Sequence, residues 1–199
     1  MSSAEQCLTF RSSVSTVAEL LGFAIYSILY QRGVFPCESF SQVTRYGMPL
    51  MVSSDAELNS YLSEVLGQVA AWINTDKMRK VVVIIAKSDD NEVIERWVFD
   101  ITTEENVGCG PAVKEEEVRG EIQALLRQIT SSVSCLPLIT QPCHFDTLVY
   151  TDLDTEMPAG SWEASNPRLI LDSSEVRLRS FSTSFHGVAA SVAYKNQRV

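Results

Sequence analysis

Ser27-Ile28-Leu29-Tyr30-Gln31-Arg32-Gly33-Val34-Phe35-Pro36 closes the most apolar helical stretch of the chain. Upstream, Val14, Val17, Ala18, Leu20, Leu21, Phe23, Ala24, Ile25, Ile28 and Leu29 cover most of a helix circumference when projected at about 100° per residue. A helix that is apolar on nearly every side needs cover on more than one face. Residues 14–30 are therefore predicted to form a central helix, with Ser12 and Ser13 as capping hydroxyls and Gly33 and Pro36 as its stop.

Two further helices are predicted to pack around it. Ser54-Asp55-Ala56-Glu57 has capping-box spacing and opens a helix to Asn74, with Leu58, Tyr61, Leu62, Val65, Leu66, Val69, Trp72 and Ile73 on one arc. Residues 113–134 carry the stripe Val118, Ile122, Leu125, Leu126, Ile129 and Val133, and Glu115 to Glu117 suit the positive end of that helix. Between them, residues 79–86 read as a strand covered on both faces, turned by Ser88-Asp89-Asp90-Asn91 into a return strand at 93–101. Leu148-Val149-Tyr150 lies in another strand. Residues 102–112 form a loop through Gly108-Cys109-Gly110-Pro111, and 152–167 an acidic one. The last third has three extended stretches, 168–171, 175–185 and 188–194. Their alternation is imperfect, so their register is weakly specified; an irregular edge strand is the first reading of that pattern and a movable segment the second. With no internal repeat, the organisation is one α+β domain.

The chain of 199 residues is long enough to bury a real core, and its net charge is −9, from 25 acidic and 16 basic residues. That balance argues against a nucleic-acid backbone and suits a basic partner segment. The longest apolar runs, 23–29 (with Ser27 inside) and 81–86, are too short for a bilayer, and 1–6 lack signal-peptide character, so an intracellular, membrane-free protein is expected. Cysteines 7, 37, 109, 135 and 143 show no Cys-x-x-Cys spacing, which fits reduced thiols without a zinc site.

The residues that could carry chemistry are few. His144 and His186 are the sole histidines, and the chain holds no Walker loop, nucleophile elbow or dinucleotide fingerprint. Asp152, Asp154 and Glu156 alternate as calcium ligands do, but lack the glycine and distal glutamate of an EF-hand. No metal or cofactor is expected, and no enzyme. The competing class is a hydrolase that uses a cysteine with His144 or His186. Arg127 stands opposite the apolar stripe of its helix, with Gln128 beside it, as an ordinary wet face would. Trp72 and Trp97 fit the core, with the border of a ligand groove as the second reading.

Taken in order, the opening block, Phe40, Tyr46-Gly47, Val81-Val82-Val83-Ile84, Glu95-Arg96-Trp97-Val98-Phe99-Asp100, Arg127-Gln128-Ile129-Thr130, Leu136-Pro137-Leu138, Tyr150-Thr151-Asp152, Val176-Arg177-Leu178-Arg179-Ser180-Phe181 and Val192-Ala193-Tyr194-Lys195 resemble the HORMA-domain family, and within it the spindle-checkpoint branch. The resemblance implies a single domain over 8–199, with three main helices on a mainly antiparallel sheet. It also implies a mobile C-terminal safety belt from about residue 152. In an open form the belt covers a sheet edge; in a closed form it crosses the sheet and traps a partner peptide as an added strand.

Further roles follow from the resemblance alone. The peptide lies along Leu148, Val149, Tyr150 and Thr151, beside Trp72 and Trp97. Phe10, Arg11, Val176, Arg177, Phe181 and His186 take part in the switch. Arg127 and Gln128 build an open-closed homodimer, with Cys135 standing where vertebrate members carry an aromatic residue. Ser191 corresponds to a phosphorylation site. Implied partners are a coiled-coil kinetochore checkpoint anchor, the activator subunit of the anaphase-promoting complex, and a HORMA-remodelling AAA+ ATPase with its adaptor. Implied locations are nucleus, kinetochore, spindle and cytoplasm. The translesion polymerase subunit and the meiotic chromosome axis protein are the other roles that this family offers.

Overall fold

In the computed structural model, which describes residues 9–104, 114–158, 160 and 162–196, the central helix α1 runs over Phe10–Gln31. It starts four residues earlier than the sequence pattern indicated, because Thr9 is the N-cap. The Thr9 side chain accepts from the Ser12 N–H and the Ser12 hydroxyl accepts from the Thr9 N–H, a reciprocal box. Ser13 is not a cap; it faces inward one turn into the helix. By length and composition α1 could cross a membrane, which the short apolar runs did not suggest, but most of it is buried inside the fold.

A hairpin unannounced by the sequence reading follows: β1 (Phe40–Arg45) and β2 (Met48–Ser53). Tyr46 and Gly47 both have positive φ, 51° and 70°, as a two-residue turn matched to strand twist requires. The Tyr46 ring meets Phe23 of α1 edge-on, and its carbonyl accepts from Gln123, so the turn is fixed to the helical layer. Next comes α2 (Ala56–Asn74), capped by Asp55, whose side chain accepts from the Leu58 N–H; Ser54 stands outside the box.

The main sheet holds β3 (Met78–Lys87), β4 (Val93–Thr103), β5 (Cys143–Thr151), β6 (Ser173–Ser182) and β7 (His186–Lys195), in the spatial order β5-β3-β4-β7-β6, every pair antiparallel. Helix α3 (Glu115–Ser132) precedes β5 and packs along β6, while α1 touches α2, α3, β2 and β7. The helices share one core with the inward residues of the sheet, including Val81, Val83, Trp97, Phe99, Val188 and Val192. Val82, Ile84, Ala86 and Val98 form a smaller cluster on the opposite face.

Three expectations change. Residues 168–171 are not a strand. Thr183, Ser184 and Phe185 do not extend the preceding one but turn the chain, with the Thr183 hydroxyl accepting from the N–H groups of Phe185 and His186. The imperfect alternation of β6 is a bulge: three steps from Arg177 to Ser180 oppose two on β7, Ser191 to Ala189. Val176 and Leu178 thus face inward before the extra residue, and Phe181 after it. Cys7, Cys109 and the 108–111 turn lie outside the described residues.

One buried ion pair ties these parts together. Arg32 is the C-cap of α1, and its Nε and Nη2 reach the Glu95 carboxylate at 3.1 and 2.5 Å. Trp97 Nε1 donates to the same carboxylate, and Arg32 Nη2 also donates to the Pro137 carbonyl. Burial pushes the Glu95 carboxyl up, and Arg32 and Trp97 pull it back. Removing one partner strands the other charge in the core. Arg32→Ala should therefore lower stability by about 3–5 kcal/mol, whereas Arg32→Met with Glu95→Leu should recover most of it. Urea unfolding of the single and double variants measures both; equal losses in the two would contradict this account.

Candidate functional site

The element order puts β5 at one border of the sheet and the β6–β7 hairpin at the other. The chain leaving β5 must travel round the sheet, four strand spacings or about 19 Å wide, to begin β6. The described residues of 152–172 make this journey as a strap, pinned at three places. At its start, Asp152 accepts both Nε and Nη2 of Arg79 at 2.9 Å, and Lys77 Nζ reaches Asp154 at 2.6 Å. Midway, Trp162 stacks edge-on against Trp72 at the end of α2, ring centroids 5.1 Å apart. Near its end, Arg168 holds Asp146 of β5 at 3.1 Å and Asn91 of the β3–β4 turn at 2.7 Å. The acidic residues that spacing likened to calcium ligands are thus partly committed to cations of the α2–β3 corner.

The border strand framed by this strap is amphiphilic on both faces. Phe145 and Val149 lean on the helix-side core, and Leu148 and Tyr150 on the opposite cluster. Phe145 meets Phe35 and Tyr61 edge-on, at 5.8 and 5.7 Å. Such a border offers a row of backbone donors and acceptors with side-chain sockets on either side, the requirement for adding a strand from another chain. Leu148, Val149, Tyr150 and Thr151 all lie in it. Trp72 meets the strap instead, against Trp162. Trp97 does not join them: it is 1% exposed, two strands inward, with its indole N–H spent on Glu95.

The residues expected to switch meet at the far border. Phe10 contacts Phe185 and His186, with ring centroids 5.6 and 5.1 Å away. Ser13 Oγ lies 2.7 Å from both Thr183 Oγ1 and His186 Nδ1. The first turn of α1 is therefore bonded to the tip of the C-terminal hairpin. Arg11 is exposed beside it, Phe181 is buried under it, and Val176 is half-buried above the bulge. Arg177 is exposed and opposes Ser191 across the β6–β7 ladder. Ser13, Thr183, Trp162 and Arg168 were not singled out for these roles from sequence. A tryptophan inside an acidic loop was the one available signal.

On α3, Arg127 is exposed, and Cys135 is exposed in the short 3-10 turn Val133–Cys135. Gln128 is half-buried and engaged: its Oε1 accepts from the Arg179 N–H at 2.6 Å, at the β6 bulge. Glu121, two turns earlier, accepts from the Ser182 N–H at 2.8 Å. These side chains cap outward N–H groups of β6 that no strand pairs. Among the described residues, no group of three His, Cys, Asp or Glu is placed to hold a metal ion.

Residues 13–186 match the HORMA domain model. The chain is 44% identical to the human mitotic spindle assembly checkpoint protein MAD2A over 196 residues, 97% of this chain and 95% of the human one. Its fold superposes on a chain of a mitotic checkpoint complex crystal structure with a TM-score of 0.85 at 38% identity, covering 92% of this chain and 99% of that one. It also superposes on C. elegans HTP-2 bound to a HIM-3 closure motif, with a TM-score of 0.82, over 96% and 93% of the two chains; at 14% identity that likeness concerns the fold alone.

The buried histidine makes the hairpin contact sensitive to acid. Burial holds His186 below the ordinary value of 6.5, with Asp76 opposing the shift. Protonation then favours the undocked chain, so this contribution to stability is complete above pH 6.5 and declines as pH falls through the lowered value. Between pH 7.5 and 5.5 the urea midpoint of the wild type should drop more than that of His186→Gln. Glu95 titrates alike in both proteins and cancels. Identical pH profiles would remove His186 from the junction.

Proposed function

The chain belongs to the HORMA domain family, and from that premise we propose that it is a spindle-checkpoint adaptor that captures a partner segment along β5 and holds it with the 152–172 strap. The observation that carries this reading is the placement of the C-terminal hairpin on the β4 side of the sheet, which leaves β5 as the border the strap encloses. Main-chain bonds to β5 supply affinity, and the sockets beside Phe145 and Leu148 supply selectivity. Release requires the strap to open, so the energetic barrier falls on dissociation.

The protein exchanges this arrangement for one in which the tail covers the sheet edge. Two such packings of one sequence differ by a few kcal/mol at most. The captured segments come from a coiled-coil kinetochore checkpoint anchor and from the activator subunit of the anaphase-promoting complex, which is thereby inhibited. Both offer basic and apolar residues with a proline, matching a net charge of −9. The adaptor acts at kinetochores and the spindle and in the nucleus and cytoplasm, without catalysis. The Ser13–His186 pair, alike in composition to a nucleophile and base, is sealed from solvent. A HORMA-remodelling AAA+ ATPase with its adaptor resets it, pulling on the segment that carries Phe10 and Arg11.

Arg127, Gln128 and Cys135 form the homodimer surface between the two conformers. Gln128 contributes by reading the hairpin: its bond to Arg179 exists only where β6 occupies its present place. A phosphate on Ser191 would sit opposite Arg177 in a half-buried strand and bias one conformer over the other. The roles of translesion polymerase subunit and meiotic chromosome axis protein differ in partner. The likeness to a checkpoint relative along nearly the whole chain favours the checkpoint.

Size-exclusion chromatography and exchange NMR with a basic-apolar-proline peptide should show conversion and release over minutes or longer. Fast, weak binding with unchanged spectra would refute capture. Arg127→Glu should abolish self-association and leave peptide capture intact; dimers that persist would take Arg127 out of the interface.

A further inference from the structure

A cavity of about 890 Å³ opens beside the Cys143 end of β5. Its walls are residues 137–141, which lead into β5; Lys87 at the end of β3 and Glu92 to Glu95 at the start of β4; residues 194–196 at the end of β7; and the strap's last residues, 169–172. The ionic groups around it are already satisfied within the protein. Lys87 and Lys195 share Glu92, Asp172 accepts from the Asn196 amide, and Glu95 holds Arg32. Beside the polar Thr140, Gln141 and Tyr194, what is left for a ligand is aliphatic. Leu138, Leu169 and Leu171 stand at the rim 77%, 65% and 87% exposed. One exposed leucine on a soluble protein means nothing, but three around a single opening of ligand size mark a binding patch.

We propose that this cavity is a second subsite for the captured segment, taking a large aliphatic side chain that lies just beyond the strand paired with β5. The proposal rests on the reading of β5 as the capture edge. Position selects the occupant. Lys87, in the near wall, is the register partner of Cys143, so the cavity begins about one strand spacing, roughly 4.8 Å, from β5 and runs from there across the end of β4 to β7. Leu169 to Asp172 continue directly from the Arg168 latch, so a segment leaving the border at this end passes beneath them. With the lysines engaged by Glu92, burial of apolar surface against the three leucines is the main source of affinity. Selectivity for partners would then extend past the residues that form the added strand.

The test uses the full chain and synthetic peptides that share one basic-apolar-proline core, extended at either end by Leu-Leu or by Ser-Ser. Release is followed by fluorescence anisotropy after dilution into unlabelled peptide. Leu-Leu at one end should slow release about tenfold relative to Ser-Ser. Leu138→Asp, at a site too exposed to disturb folding, should erase that gain while the core peptide binds as before. The proposal fails if leucines at neither end slow release, or if the gain survives in a Leu138→Asp, Leu171→Asp double variant. A core peptide that does not bind at all would overturn the capture edge itself, which the same titration distinguishes.

Discussion

The contact between Arg32 and Glu95 is the constraint on which the architecture depends. Two charges taken out of water are tolerated only when each hydrogen-bonding position is filled. Here the guanidinium spans the carboxylate and the Pro137 carbonyl, and Trp97 fills a remaining acceptor site. The pair thereby sets the end of α1, the position of β4 and the path of the chain that enters β5. A hydrophobic contact could supply comparable energy, but would not fix three segments at one point with this directionality. The strap and the β5 border both hang from strands placed in this way.

Much of the helical layer was legible because its physics is local. The all-round apolarity of α1, the arc of α2 and the stripe of α3 are periodic patterns that a window of residues contains. The paired strands β3 and β4 announced themselves by β-branched runs and a polar turn. The first hairpin did not, since Pro49 interrupts β2 and its inward residues are spaced by Tyr46-Gly47 rather than by a longer turn signal. The N-cap shifted for a related reason: Thr9, Ser12 and Ser13 all carry hydroxyls, and what chooses among them is that Ser13 has a partner about 170 residues away.

The candidate site was legible in part. That the strand 148–151 is a border strand depends on the order of five strands, and the resemblance to a family, rather than any pattern in those residues, pointed to it. Trp72 and Trp97 look alike in sequence; the structure separates them by placing one beside the strap and the other under the buried ion pair. The irregular alternation of β6 has a local cause, one extra residue in its ladder with β7. That bulge is also where Gln128 of α3 takes hold, so an apparent defect in the pattern is a point of attachment between tail and helix.

The strap has both ends rooted in the same sheet, one through β5 and one through β6, while the hairpin beyond it is locked to the first turn of α1. Strap and sheet together form a closed hoop. A segment threaded through it from the middle of a long chain has bulky flanks on both sides and cannot slide free lengthwise. For such a segment to leave, the buckle at Ser13, Thr183 and His186 would have to come undone in addition to the breaking of its own contacts.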